Sequence, residues 1–165
     1  MENYIVLNGK RTELTEEQLK ELGIIMEKKN PFTRVNNGET YYFITTTGEV
    51  ENSTEINHSI DNELYNLANY CTDEKLLQQQ AYRETLNRLL WRYSMEHDGD
   101  KINWNDNNQC KHYINYSYST EGFYTNWHTI SRNHAIVYFH TIEIAENAIK
   151  EIIEPFLQEH PDFKW

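Results

Sequence analysis

The stretch KHYINYSYSTEGFYTNWH, Lys111 to His128, constrains the fold more than any other part of the chain. Side chains alternate across an extended strand, so residues two apart share a face. Ile114, Tyr116 and Tyr118 therefore form one set, and Tyr113, Asn115 and Ser117 the other. If Tyr118 pairs with Phe123 across a Thr120-Glu121 turn, the first set joins Phe123 and Trp127 as a core face. The opposite face then carries Tyr113, Asn115 and Ser117 beside Tyr124, Asn126 and His128. A three-residue loop with Gly122 as a bulge is also sound turn chemistry, and it would mix the two sets. The first register is preferred because a one-residue slip buries asparagine beside rings.

In that register rings alternate with amides on an open face. Rings stack on bases and asparagine matches donor–acceptor edges, so Tyr113, Asn115, Tyr124, Asn126 and His128 suit a nucleotide. Lys111 and Arg132 border the set and are placed to meet phosphate. The competing explanation is ordinary cross-strand Tyr and His pairing on a hydrated sheet face, which demands less of the sequence.

Other hairpins and helices follow from local signals. Tyr4–Leu7 and Lys10–Leu14 flank Asn8-Gly9, a pair suited to the positive φ of a type I′ turn. Thr15 and Gln18 have the spacing of a reciprocal helix cap, and Gly23 stops the short helix that follows. Asn30-Pro31 breaks the chain, which sets the expected division at residues 1–34, a hairpin with a short helix, and 35–165, the main domain. Thr40–Thr45 and a polar return strand flank a turn near Thr46-Thr47-Gly48. A brief helix is expected from Asp61, and a long one from a Thr72 cap to His97-Asp98-Gly99. Tyr82, Leu86, Leu89, Leu90 and Tyr93 make its buried stripe. Further β-rich runs lie near Lys111–Ser119, Phe123–Ile130 and Ala135–His140. Thr141 caps a last helix that Pro155 should end or kink. The expected class is α+β: an antiparallel sheet with hairpins and a three-stranded meander, the long central helix and the C-terminal helix packed on one face.

Charge narrows the function. Fifteen Lys and Arg against 26 Asp and Glu leave a formal net charge of -11. A binder of long nucleic acid carries a basic stripe that releases counterions, and none is present. Aromatic residues reach 13%, with 12 Tyr, so rings must replace much of the aliphatic core. Cys71 and Cys110 form no metal-binding pair motif, and the histidines have no metal-ligand spacing. No metal or cofactor is expected. No nucleophile–base constellation or phosphate-cradling glycine loop stands out, which points away from an enzyme. No secretory leader or membrane-spanning run is evident, so the expectation is a cytoplasmic protein.

Four stretches, IVLNGKRTELTEEQLKELG, GETYYFITTTGEV, IDNELYNLANYCTDE and IVYFHTIEIAENAIKEI, resemble small accessory proteins of bacteriophages and prophages of low-GC Gram-positive bacteria. The resemblance covers most of the chain and transfers no catalytic or ligand residue. It implies a counter-defence protein in the cytoplasm of an infected bacterial host. Messenger sequestration ranks first: a sponge that holds a small immune nucleotide without hydrolysing it, assembled as a homo-oligomer through the N-terminal hairpin and helix. The alternatives are an anti-CRISPR-like inhibitor whose acidic surface occupies a groove on a host defence nuclease, and a structural or replication-accessory interaction protein of the virus.

Overall fold

The computed structural model describes residues 4–7, 9–23 and 30–165. The chain divides into two compact units, Met1–Thr33 and Arg34–Trp165. In the first, β1 (Tyr4–Leu7) pairs antiparallel with β2 (Lys10–Glu13), Leu7 opposite Lys10. Gly9 adopts φ +78°, while Asn8 of the expected turn lies outside the described residues. Helix α1 (Glu16–Glu21) opens with the reciprocal cap. Gln18 N donates to Thr15 Oγ1 at 3.3 Å and Thr15 N to Gln18 Oε1 at 2.9 Å. Gly23, at φ +69°, follows the helix in the left-handed region.

The second unit is α+β. Strands β3 (Thr40–Ile44) and β4 (Val50–Thr54) form one ribbon, and β5 (Lys111–Ser117) and β6 (Gly122–His128) another. Helices α2 (Ser59–Asn66) and α3 (Glu74–Glu96) lie between them in sequence. Helix α4 (Ile142–Ala148) runs through a π turn (Ile149–Ile153) into α5 (Glu154–Glu159). The expected single sheet with a three-stranded meander is not what forms: the sheets each have two strands. The run Ala135–His140 contributes only an isolated bridge, in which His112 and Phe139 exchange hydrogen bonds of 3.0 and 2.7 Å. Its backbone is diverted by a local knot. Asn133 Oδ1 accepts from Ala135 N, and the Tyr138 hydroxyl accepts from Asn133 N at 2.9 Å. The helices accordingly divide their packing. Helix α3 lies against the β3–β4 ribbon and α4, while α4 lies against β5 and β6.

The core follows the α3 stripe. Leu86, Leu90 and Tyr93 meet Ile114, Phe139, Ala145, Ala148, Ile153, Phe156 and Phe163. Asp73, rather than Thr72, caps α3, its carboxylate accepting from Leu76 N at 3.0 Å. Cys71 is already committed to a backbone bridge with Tyr42, so the chain turns into the helix one residue later than the expected cap. Thr141 caps α4 through Ile144 N at 3.2 Å. Pro155 neither ends nor breaks the helical path. The preceding turn widens so that Glu154 N reaches Ile149 O, and proline falls in the first turn of α5, where its missing N–H leaves no gap. Among the described residues, no helix is long and apolar enough to cross a membrane.

A buried polar network anchors the start of this unit. Glu55 and Asp61 are each 1% exposed. The Arg34 guanidinium grips Glu55 through two hydrogen bonds, 2.9 and 2.8 Å, and Tyr70 adds a third at 3.0 Å. Asp61 accepts from the Tyr41 hydroxyl at 2.7 Å and from the Ile56 and His58 amides. The Tyr41 and Tyr70 rings stack at 4.0 Å. Both carboxyls are held below their ordinary ranges: Glu55 chiefly by Arg34, Asp61 chiefly by the Tyr41 hydroxyl. Burial pushes the Tyr70 phenol up to about 12, so it remains a donor.

A second acid-sensitive group sits at the bridge. Burial first, and then the facing His140, hold His112 below its ordinary 6.5, and its Nδ1 is buried without a hydrogen-bond partner. All three groups have depressed folded-state values, so each contributes stability that is present above its unfolded value and lost as pH falls. Unfolding midpoints should therefore be flat from pH 6.5 up to the alkaline range, where Cys71, Tyr41, Tyr70 and Tyr93, all raised by burial, ionise first in the unfolded chain. The midpoints should decline in two stages as pH falls below 6.5. The first, below 6.5, belongs to His112 and should vanish in His112→Gln; the second, below 4.5, belongs to Glu55 and Asp61, joined by Asp98, which Lys101 holds low, and should survive that change. Denaturant melts across this range would refute the assignment if His112→Gln left the upper stage intact.

Candidate functional site

The Lys111–His128 ribbon pairs with Tyr116 opposite Phe123 and Ser117 opposite Gly122, two residues offset from the expected register. A two-residue offset preserves alternation. Tyr113, Asn115 and Ser117 thus share a face with Tyr124, Asn126 and His128, as expected, around a loop in which Glu121 adopts φ +49°.

That face is closed at one end. Tyr113 is 6% exposed, its ring stacked on His128 at 4.9 Å and edge-on to Tyr138 at 5.7 Å. Lys111 is fully buried: its ammonium donates to the Asp106 carbonyl and, at 2.8 Å, to that of Thr129. Trp104 covers this end, with Lys111 Nζ 5.8 Å and the Arg132 guanidinium 4.7 Å from its ring centre. Lys111 and Tyr113 are therefore internal supports, which corrects their expected role at a ligand surface. Arg132 is exposed but lies over the Trp104 ring. The polar loop before β5 is held back where Lys111 donates to the Asp106 carbonyl, and the same ammonium ties in Thr129 after β6. Asn115, half-buried, and the exposed Tyr124 and Asn126 remain at the open end; Asn126 Oδ1 accepts from Trp127 N at 2.8 Å. The structure thus brings Lys111 and Arg132 to the Trp104 ring and stacks Tyr113 on His128, with Asn126 opposite Tyr113 and Asn115 opposite Tyr124 further along the ribbon.

A better-enclosed site lies on the other side of the ribbon. A cavity of about 450 Å³ opens between α3, Ile114 and the 135–139 segment. Leu86, Leu90, Ile114, Val137 and Phe139 form its apolar lining, and Phe163 and Trp165 add aromatic walls. Arg83, Glu84 and Asn87 supply polar groups, all three exposed, with Asn87 one helical turn after the adjacent Arg83 and Glu84. The aromatic wall is fixed by the tail. Gln79 holds it with both ends of its amide, donating to Asp162 O at 2.9 Å and accepting from Lys164 N at 2.8 Å. The Tyr118 hydroxyl donates to Trp165 O at 3.1 Å, and Phe123 meets the Trp165 ring edge-on at 5.0 Å. On the other side, the Asn133–Tyr138 knot holds residues 135–137, while Ser94 Oγ anchors Tyr138 O at 2.6 Å.

The sequence pattern did not single out Arg83, Glu84 or Asn87, because they read as the hydrated shoulder of an amphipathic helix. Only the return of the tail over that shoulder turns it into the rim of a cavity. The cavity volume falls within the range of small-molecule sites, about 300–1,000 Å³. Its lining offers apolar and ring surface for a flat group, with donors and an acceptor beside it. Among the described residues lining it there is no hydroxyl, thiol or imidazole. Comparisons of the chain with protein-family models, with curated proteins and with solved structures find no match.

Proposed function

We propose that this is a non-catalytic binding protein that sequesters a small nucleotide, with the base held in the cavity beside α3. One observation carries the proposal: an aromatic-walled cavity of about 450 Å³ has a guanidinium, a carboxylate and an amide together in its lining. Phe139, Phe163 and Trp165 provide ring surface, Glu84 and Asn87 meet the base edge, and Arg83 takes a phosphate. A lining without a nucleophile or imidazole suits capture without turnover. In the phage setting that the resemblance implies, the nucleotide is an immune messenger of the host and the protein a counter-defence sponge. This reading keeps the ligand class expected from the sequence and moves the site from one side of the β5–β6 ribbon to the other.

The test is calorimetry with a panel of cyclic oligonucleotides and ADP-ribose-type compounds, followed by heating to recover the ligand. One class should bind and be released intact. Arg83→Gln should weaken it about tenfold to a hundredfold, the loss expected for a charge-assisted hydrogen bond. Val137→Phe should block it by filling the cavity. Tyr124→Ala with Asn126→Ala should leave it unchanged. Retention by the Arg83 variant and loss in the ribbon variant would return the site to the ribbon. Absence of binding across the panel, together with tight binding to a defence nuclease, would favour the inhibitor reading instead. The exposed glutamates 143, 146, 154 and 159 would then be the surface of interest.

A further inference from the structure

The outer face of α3 carries exposed side chains that line neither the core nor the cavity, with Leu89 at their border with the core. Trp91 is 63% exposed and Met95 45% exposed. With Arg88, Arg92, Leu89 and Glu96 they line an open cleft of about 740 Å³, walled by Thr46 and Thr47 of the β3–β4 turn. Gly48, at φ +90°, lets that turn approach closely: a Cβ there would stand 2.9 Å from Thr85 Oγ1 and 3.4 Å from the Arg88 guanidinium. Arg88 donates to Thr85 Oγ1 at 3.2 Å. Among the described residues, neither arginine forms an ion pair. Arg92 and Glu96 stand one helical turn apart and do not form an ion pair with each other. A large exposed ring, methionine and unpaired arginines are the residue types that concentrate binding energy in protein interfaces.

We propose that this face is a homodimer interface, in which α3 packs antiparallel on α3 of a second copy. Both charge signs and the apolar centre occur on one helix face, and a two-fold contact requires such a self-complementary patch. With the dyad between Trp91 and Arg92, residue numbers facing each other sum to 183. Each Trp91 then lies against the partner's Arg92, a cation–π contact, and each Met95 against the stem of the partner's Arg88. Arg88 falls one residue's rise from the partner's Glu96, within reach of an ion pair. An acidic partner of another kind would leave Glu96 facing like charge; a second copy sets Glu96 near Arg88 and Arg92 against the Trp91 ring. The contact belongs to α3 and not to the N-terminal hairpin and helix.

Sedimentation equilibrium of the full chain tests this without any ligand, so its outcome is separate from that of the nucleotide proposal. The protein should be dimeric at about 100 µM. Trp91→Ala should raise the dissociation constant about thirtyfold or more. Arg88→Glu should also weaken the dimer, and adding Glu96→Arg should restore it, because the double exchange recreates the pair across the dyad. Unchanged circular dichroism of these surface variants would keep the readout on association. A wild-type monomer at that concentration, or a dimer indifferent to Trp91→Ala and Arg88→Glu, would overturn the proposal.

Discussion

Replacing Tyr41 with alanine should cost about 3–5 kcal/mol, the range for truncating a fully buried aromatic residue. Tyr41 is 0% exposed. Its ring stacks on Tyr70 at 4.0 Å, and its hydroxyl is the side-chain donor to Asp61, at 2.7 Å. Alanine removes the stack and leaves a buried carboxylate short of one partner. Tyr41→Phe separates the two effects: it keeps the ring and removes only the donor, so about 1–3 kcal/mol should go. Urea unfolding of both variants is the measurement. Similar losses in the two would mean that the hydroxyl, not the ring, dominates; a negligible loss in phenylalanine would mean that the amides of Ile56 and His58 hold Asp61 without help.

Lys111→Met should be nearly as damaging, at about 3 kcal/mol. Methionine matches the aliphatic stem but offers no donor. The carbonyls of Asp106 and Thr129 would then lose the ammonium that joins the 102–110 loop to the segment after β6. Loss of stability with unaltered nucleotide affinity is the expected pair of results. An affinity loss without destabilisation would instead restore Lys111 as a ligand-contacting cation. The variant therefore reports directly on which side of the ribbon is functional.

The difference between expectation and structure at Lys111 has a physical origin. Alternation along Lys111–His128 determined which residues share a face, and even a two-residue error in pairing left that answer intact. Alternation carries no information about what covers a face. Trp104 and Tyr138 arrive from loops whose paths depend on tertiary hydrogen bonds, including the two made by Lys111 itself. The helices were legible because caps and stripes are local: Thr15 with Gln18, Thr141, and the run Leu86, Leu90, Tyr93. The run Ala135–His140 was misread as a strand because β propensity records side-chain type, whereas Asn133 and Tyr138 bind the backbone into turns. The cavity was beyond reach for a related reason. Gln79 and Asp162 are far apart in the chain, and nothing near either residue signals that they meet.

The widened turn at Ile149–Ile153 also sets a rule for the register of the last helix. An extra residue in one turn delays the rotation of everything after it, so Phe156 and the tail behind it owe their angular position to that single irregularity. Deleting one residue there would restore a regular spiral and swing the phenylalanine, Gln79's tail partners and the Trp165 ring around the axis together. The cavity wall would rotate out of place even though none of its own residues had changed.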